Sequence, residues 1–213
     1  MSCKILAFDT TNGGFCVAIS FDNKIISSTN INEVGMQAEM LIPTIEDCLN
    51  SAKIWYQDLN CIAVTGGPGS FTGVRIGMSA AKAISLASNL PLIGIGSLEA
   101  IAYNYRNSGD GKILVAIDAK MDEFFIQEFQ LLNGKLIASY EAKLIPAKDV
   151  ENYYPKENFL LAGTSRGDII TAENIALIAF EIYNSDSNQG QNFSADTVYI
   201  REPRISKRGD SKK

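Results

Sequence analysis

Residues 64–84 read VTGGPGSFTGVRIGMSAAKAI, with five glycines between positions 66 and 77. The stretch follows an apolar run at 60–65 and leads into a segment with helical spacing. Glycine at that density, where a strand meets a helix, has two physical readings. Backbone amides at a helix start can cradle a phosphate. Alternatively, two backbones pass at a distance that no β-carbon allows.

Both common phosphate loops fail on spacing. No lysine follows a glycine in the frame G-x-x-x-x-G-K-[ST], and G-x-G-x-x-G, counted from Gly67 and Gly69, meets Thr72 where a glycine is required. The segment after the loop carries small residues, with Gly69 leading into Gly73, Gly77, Ala80, Ala81 and Ala87. Glycine costs a helix about 1 kcal/mol relative to alanine, so two in the first turns call for a close neighbour. Val74, Met78 and Leu86 make another side apolar, with Arg75 and Lys82 as the charges between them. A helix apolar on more than one side is covered on more than one side. The cover is either a second layer of the same chain or a partner.

Upstream, residues 3–8, 15–21 and 24–30 are short apolar or β-branched runs separated by Asn12-Gly13-Gly14 and Asp22-Asn23, a three-strand meander. Apolar positions at steps of three and four then predict a helix over 36–53, kinked or started late by Pro43. A strand at 60–65, a helix at 71–88 and a strand at 91–96 come next, and Ser97 is expected to cap a third helix with Glu99 in its first turn. The turn cluster NSGDGK at 107–112 marks the expected boundary between a first lobe, 1–108, and a second, 109–200. Strands are expected at 112–119, 123–132, 134–145 and 159–162, and a helix at 171–183.

The chain has 213 residues, a net charge of −5 and an apolar fraction of 46%. That balance argues against nucleic-acid binding over the whole surface. Residues 201–213 differ, holding six basic residues against Glu202 and Asp210. This basic tail reads either as a solvated end or as an RNA-attracting one. Cys3, Cys16, Cys48 and Cys61 form no C-x-x-C pair and sit in apolar runs, which fits buried thiols in a reducing compartment. MSCKILAFDTT lacks the pattern of a signal peptide, and no apolar run reaches the roughly 18 residues of a membrane span, so cytoplasm is expected. The chain contains no histidine, which excludes Ser-His-Asp triads, Cys-His pairs and histidine metal sites.

ILAFDTT, AEMLIPTIEDCL, IAVTGGPGSFTGVRIGMSAAKAI, LPLIGIGSLEA and VAIDAKMDEFF resemble, in that order, the TsaB (YeaZ) family. The likeness is strong over residues 4–130, with VYIREP near the end as a weaker signpost. It implies an α/β fold of the ASKHA class, the actin and Hsp70 type, with two related lobes of which the second is reduced. It also implies a non-catalytic subunit that binds TsaD in threonylcarbamoyl transfer to the adenosine beside the anticodon of tRNA. The implied partners are TsaD, the small ATPase TsaE, tRNA through the complex, and a second copy through the same face, with no membrane. No catalytic, cofactor or metal residue is implied on this chain; ATP and metal belong to the partner proteins. Two positions depart from the family pattern: Gln37 stands where histidine is frequent, and Lys120 where arginine usually follows Asp-Ala.

On this reading the glycines shape a helix start and a packing face. The expected interface strip is Met36, Met40, Arg75, Met78 and Lys82, with Gly69, Gly73, Gly77, Ala80 and Ala81 packing inside. Two enzyme readings stand beside it. One is an ASKHA-type phosphotransferase with Asp9 as metal- or water-positioning carboxylate. The other is a glycoprotease-like hydrolase, against which stands the lack of a nucleophile–base pair.

Overall fold

The computed structural model describes residues 2–153 and 159–185. The VYIREP signpost and the basic tail lie outside the described residues. Among the described residues, two five-stranded sheets form the frame, one on each side of the turn at 107–110.

The first sheet contains β1 (Lys4–Asp9), β2 (Phe15–Phe21), β3 (Lys24–Ile31), β4 (Cys61–Thr65) and β5 (Leu92–Ile95), in the order β3-β2-β1-β4-β5. β1 pairs antiparallel with β2 and parallel with β4. Its side chains divide between two cores, as a central strand's must. Ile5 and Ala7 face one core, Leu6 and Phe8 the other. α1 (Gln37–Ala52) and α2 (Phe71–Ser88) cover the Leu6 face. α3 (Ser97–Ala102) and α4 (Ala172–Asn184) lie on the Ile5 face, in a core shared with the second sheet.

That second sheet holds β6 (Gly111–Asp118), β7 (Glu123–Leu132), β8 (Lys135–Ala138), β9 (Lys143–Pro146) and β10 (Phe159–Gly163). The order is β10-β6-β7-β8, with β9 also on β7. It repeats the start of the first sheet: β6 pairs antiparallel with β7 and parallel with β10. No long helix comes directly after β10, and α4 returns to pack on β1 and β2. This is the ASKHA-type arrangement with a reduced second half.

Local chemistry accounts for the helix ends. Ser70 Oγ accepts from the Gly73 amide at the start of α2, and Asn89 ends it at φ 51° in the left-handed region. α1 ends the same way at Lys53, φ 56°. Pro43 lies inside α1, which starts six residues before it and runs through.

Two local expectations are corrected. Ser97 is the first residue of α3 rather than its cap, and Gly96 holds the cap position. The Ser97 hydroxyl is occupied instead by Thr11, 3.3 Å away. The run at 134–145 is two strands, β8 and β9, because β7 is long enough to pair with each in turn. Residues 147–153 form a 3₁₀ segment.

Candidate functional site

The glycine loop closes over the end of β1. Asp9 is 3% exposed, and its Oδ1 accepts hydrogen bonds from the Thr11 amide (3.1 Å), the Thr11 hydroxyl (2.7 Å) and the Thr65 hydroxyl. Burial pushes the Asp9 carboxyl above the ordinary carboxylate value, and the hydrogen bonds from Thr65, Thr11 and the Thr10 amide oppose that rise. Thr10 Oγ1 donates to the Gly73 carbonyl at 2.7 Å, and the Ser70 amide donates to the Thr11 carbonyl at 2.9 Å. The loop is tied to its other neighbour as well. Gly66 N–H donates to the Ile95 carbonyl, and Ser97 N–H to the Gly67 carbonyl, both at 2.9 Å.

This contact explains the glycines. A β-carbon at Gly73 would lie 2.0 Å from the Thr10 carbonyl oxygen, and one at Gly69 2.8 Å from the Thr11 carbonyl oxygen. At Gly77 it would lie 2.4 Å from Thr10 Oγ1. The start of α2 and the β1 turn are therefore in direct backbone contact, with no room for a side chain between them. Asp9 Oδ1 is fully used by protein donors, and α2 abuts the turn backbone. Among the described residues, no group of three or more Cys, Asp and Glu side chains is placed to hold a metal.

Asp118 ends β6 as Asp9 ends β1, but it is open. Its side chain is 43% exposed and pairs with Lys120 Nζ at 2.8 Å. The Lys120 hydrogen bonds hold its carboxyl below the ordinary value. Lys120, Met121 and Asp122 all have positive φ, which gives a tight exposed turn between β6 and β7.

The face of α1 and α2 turned away from the sheet is the other candidate. Met40 is exposed and Met36 half-buried, while Arg75 and Lys82 are exposed on α2. Arg75 stacks over the Phe71 ring, 3.9 Å from its centroid, and that ring is itself exposed. Met78 departs from the expected strip. It is 4% exposed and belongs to the core cluster that contains Leu41 and Ile45 of α1. At about 100° per residue Met78 falls at the very edge of the Phe71–Arg75–Lys82–Leu86 stripe, and packing turns it inward. Val74 is buried in the same arc, and only Leu86 of that apolar group is open, at 86%.

The small residues also divide. Gly73, Gly77 and Ala81 are buried, Gly69 and Ala80 are half-buried, and Ala87 is exposed. Phe71 and Trp55 were not singled out from the sequence. Trp55, 68% exposed, lines a groove of about 420 Å³ with Tyr56, Gln57, Ala87 and Ser88. The available signals were the stripe spacing 71, 75, 82, 86 and the single tryptophan just after a helix end. Gln37 is buried, and its Nε2 donates to the Gly13 carbonyl at 2.9 Å, tying α1 to the first hairpin.

Comparison with known proteins places this geometry. The profile of the tRNA N6-adenosine threonylcarbamoyltransferase family (TsaD) matches residues 36–179. The tRNA threonylcarbamoyladenosine biosynthesis protein TsaB of Buchnera aphidicola subsp. Schizaphis graminum is 34% identical over 168 residues, covering 76% of this chain and 79% of that one. This chain belongs to the TsaB (YeaZ) family. TsaB of Escherichia coli K12 is likewise 34% identical, over 128 residues that cover 60% of this chain. The matched region spans only 55% of the E. coli protein. YeaZ from Pseudomonas aeruginosa superposes with a TM-score of 0.79 at 25% identity, covering 92% of this chain and 99% of that structure. Among the described residues, no helix is long and apolar enough to cross a membrane.

Proposed function

We propose that this chain is a non-catalytic, TsaB-type subunit that binds a TsaD-type catalytic subunit and is required for threonylcarbamoyl transfer to the adenosine beside the anticodon of tRNA. The observation that carries the non-catalytic reading is the sealed Asp9 turn. One oxygen of the carboxylate that would position a metal or water in a phosphotransferase, Oδ1, accepts from two hydroxyls and an amide, and the side chain is buried beside the start of a helix. The membership in the TsaB family carries the pathway. The chain works without a cofactor of its own, in the cytoplasm, with ATP and metal on TsaD and TsaE and with tRNA reached through the complex.

The surface offered to TsaD is the outward face of α1 and α2, centred on Met40, Phe71, Arg75, Lys82 and Leu86. Exposed aromatic and aliphatic anchors beside an arginine are the composition of an interface centre. A second copy of the chain uses the same face when TsaD is absent, which the exposure of Phe71 and Leu86 favours. Reconstitution tests the reading. TsaD, TsaE, tRNA and the threonylcarbamoyl donor are combined with and without this protein. Modification that depends on the protein, and that falls when the Phe71→Asp variant is used at unchanged fold, supports the reading. Full modification without the protein overturns it.

A further inference from the structure

We infer that Thr10 is a positioning residue for α2, setting where the partner-facing side chains of its first turns stand; the inference rests on the docking face proposed above. Thr10 is fully buried at the end of β1. Its hydroxyl donates to the Gly73 carbonyl at 2.7 Å, which fixes the helix along its axis. Its own carbonyl oxygen lies where a β-carbon of Gly73 would stand, which fixes the height of the helix over the strand. The same hydroxyl lies under Gly77, one turn later. One residue thus touches two successive turns of α2, whose exposed residues include Phe71 and Arg75.

Thr10 is in turn held by its surroundings. Both its neighbours, Asp9 and Thr11, are locked into the buried cluster with Thr65 and Ser97. A β-carbon at Gly77 would stand 2.4 Å from Thr10 Oγ1 but 3.6 Å from Thr10 Cβ, an ordinary contact. The conflict there is with the hydroxyl alone. An added methyl at position 77 therefore moves the helix, and removal of the Thr10 hydroxyl gives the space back. Interfaces lose complementarity on displacements of roughly 0.5–1 Å, so the displacement reads out as affinity.

The test is a double-mutant cycle of Gly77→Ala and Thr10→Ala. It is read by calorimetric affinity for the TsaD-type subunit and by amide hydrogen exchange over residues 71–77. Gly77→Ala is expected to weaken binding about tenfold and Thr10→Ala about threefold, while the double variant binds more tightly than Gly77→Ala alone. Wild-type affinity in Gly77→Ala, or strictly additive losses, overturns the inference. If the wild-type protein does not bind TsaD at all, the proposed function fails and exchange alone decides the role of Thr10. Faster exchange in Gly77→Ala, slowed again in the double variant, supports Thr10 as the positioning group; unchanged exchange overturns it. Should Gly77→Ala not fold, Thr10→Val against Thr10→Ser decides instead: loss of affinity or protection with valine and its recovery with serine is expected, and equal behaviour of the two overturns the inference.

Discussion

Asp9 and Asp118 end the corresponding strands of the two sheets, each flanked by an antiparallel neighbour on one side and a parallel one on the other. Their fates differ. Asp9 is buried, accepts from three protein donors and is held above the ordinary carboxylate value. Asp118 faces solvent and leans on one lysine. The next parallel strand explains the contrast. β4 runs into the glycine loop and α2, whose first turns close onto the β1 end. β10 runs into a short 3₁₀ turn, 164–166, from which Thr164 Oγ1 only accepts the Asp118 amide. The strand scheme alone does not make a site. The element after the neighbouring strand decides whether its carboxylate is open chemistry or internal structure.

The largest expected effect comes from prising the closing helix away. Met78→Asp puts a charge in the core between α1 and α2, and burying an unpaired charge costs about 3–5 kcal/mol. The variant should unfold or melt far below the wild type by circular dichroism. A folded Met78→Asp protein would return Met78 to the exposed strip.

Gly163→Ala ranks next. Gly163 sits at φ +147°, and a β-carbon there would meet the Ala116 carbonyl oxygen at 1.9 Å. Forcing a residue into that conformation costs about 1–3 kcal/mol, before any clash is added. Denaturant melts should show this loss even though the second turn is open. An unchanged midpoint would mean that β10 is free to shift on β6.

Asp9→Asn should cost about 1–3 kcal/mol, because it buries an amide N–H₂ in a cluster of protein donors. The pH dependence has a definite sign. The raised carboxyl means the folded chain holds this proton more tightly than the unfolded one. Its stabilising effect is full below the unfolded value of about 3.9 and is lost as pH rises through the folded value. The wild-type advantage over Asp9→Asn is therefore greatest below about pH 4 and shrinks as pH rises above it. A gap that widens with pH would mean that the hydrogen-bond donors stabilise an ionised carboxylate more than burial penalises it. Lys120→Met is the smallest change. It removes the partner of an exposed carboxylate, and such pairs contribute roughly 0–1 kcal/mol. A larger shift in midpoint would give the Asp118 turn a structural role.

Much of the frame was legible from local pattern. The bounds read for α2 coincide with those of the structure, because Ser70 before it and Asn89 after it carry their own stop signals. The meander, β7 and the alternation of strand and helix were readable from period and turn residues. Which arc of α2 is buried was not legible. The helix is apolar or small over most of its circumference, so only its approach to Thr10 and α1 decides that Met78 turns in and Leu86 out. The Asp9 cluster was equally hidden, since its donors lie at Thr11, at Thr65 and, through Thr11, at Ser97. No local window contains those residues together. The break between β8 and β9 has no glycine or proline at 139–142 to announce it.

The central claim is that the β1 turn is closed structure and that the α1–α2 face is the working surface. Parallel calorimetric titrations of the isolated protein, one with Mg-ATP and one with the TsaD-type subunit of the same organism, test it most directly. The expected result is no saturable heat from the nucleotide and a saturable association with the subunit that Phe71→Asp weakens. Saturable nucleotide binding that disappears in Asp9→Ala, with no association of the subunit, would contradict it.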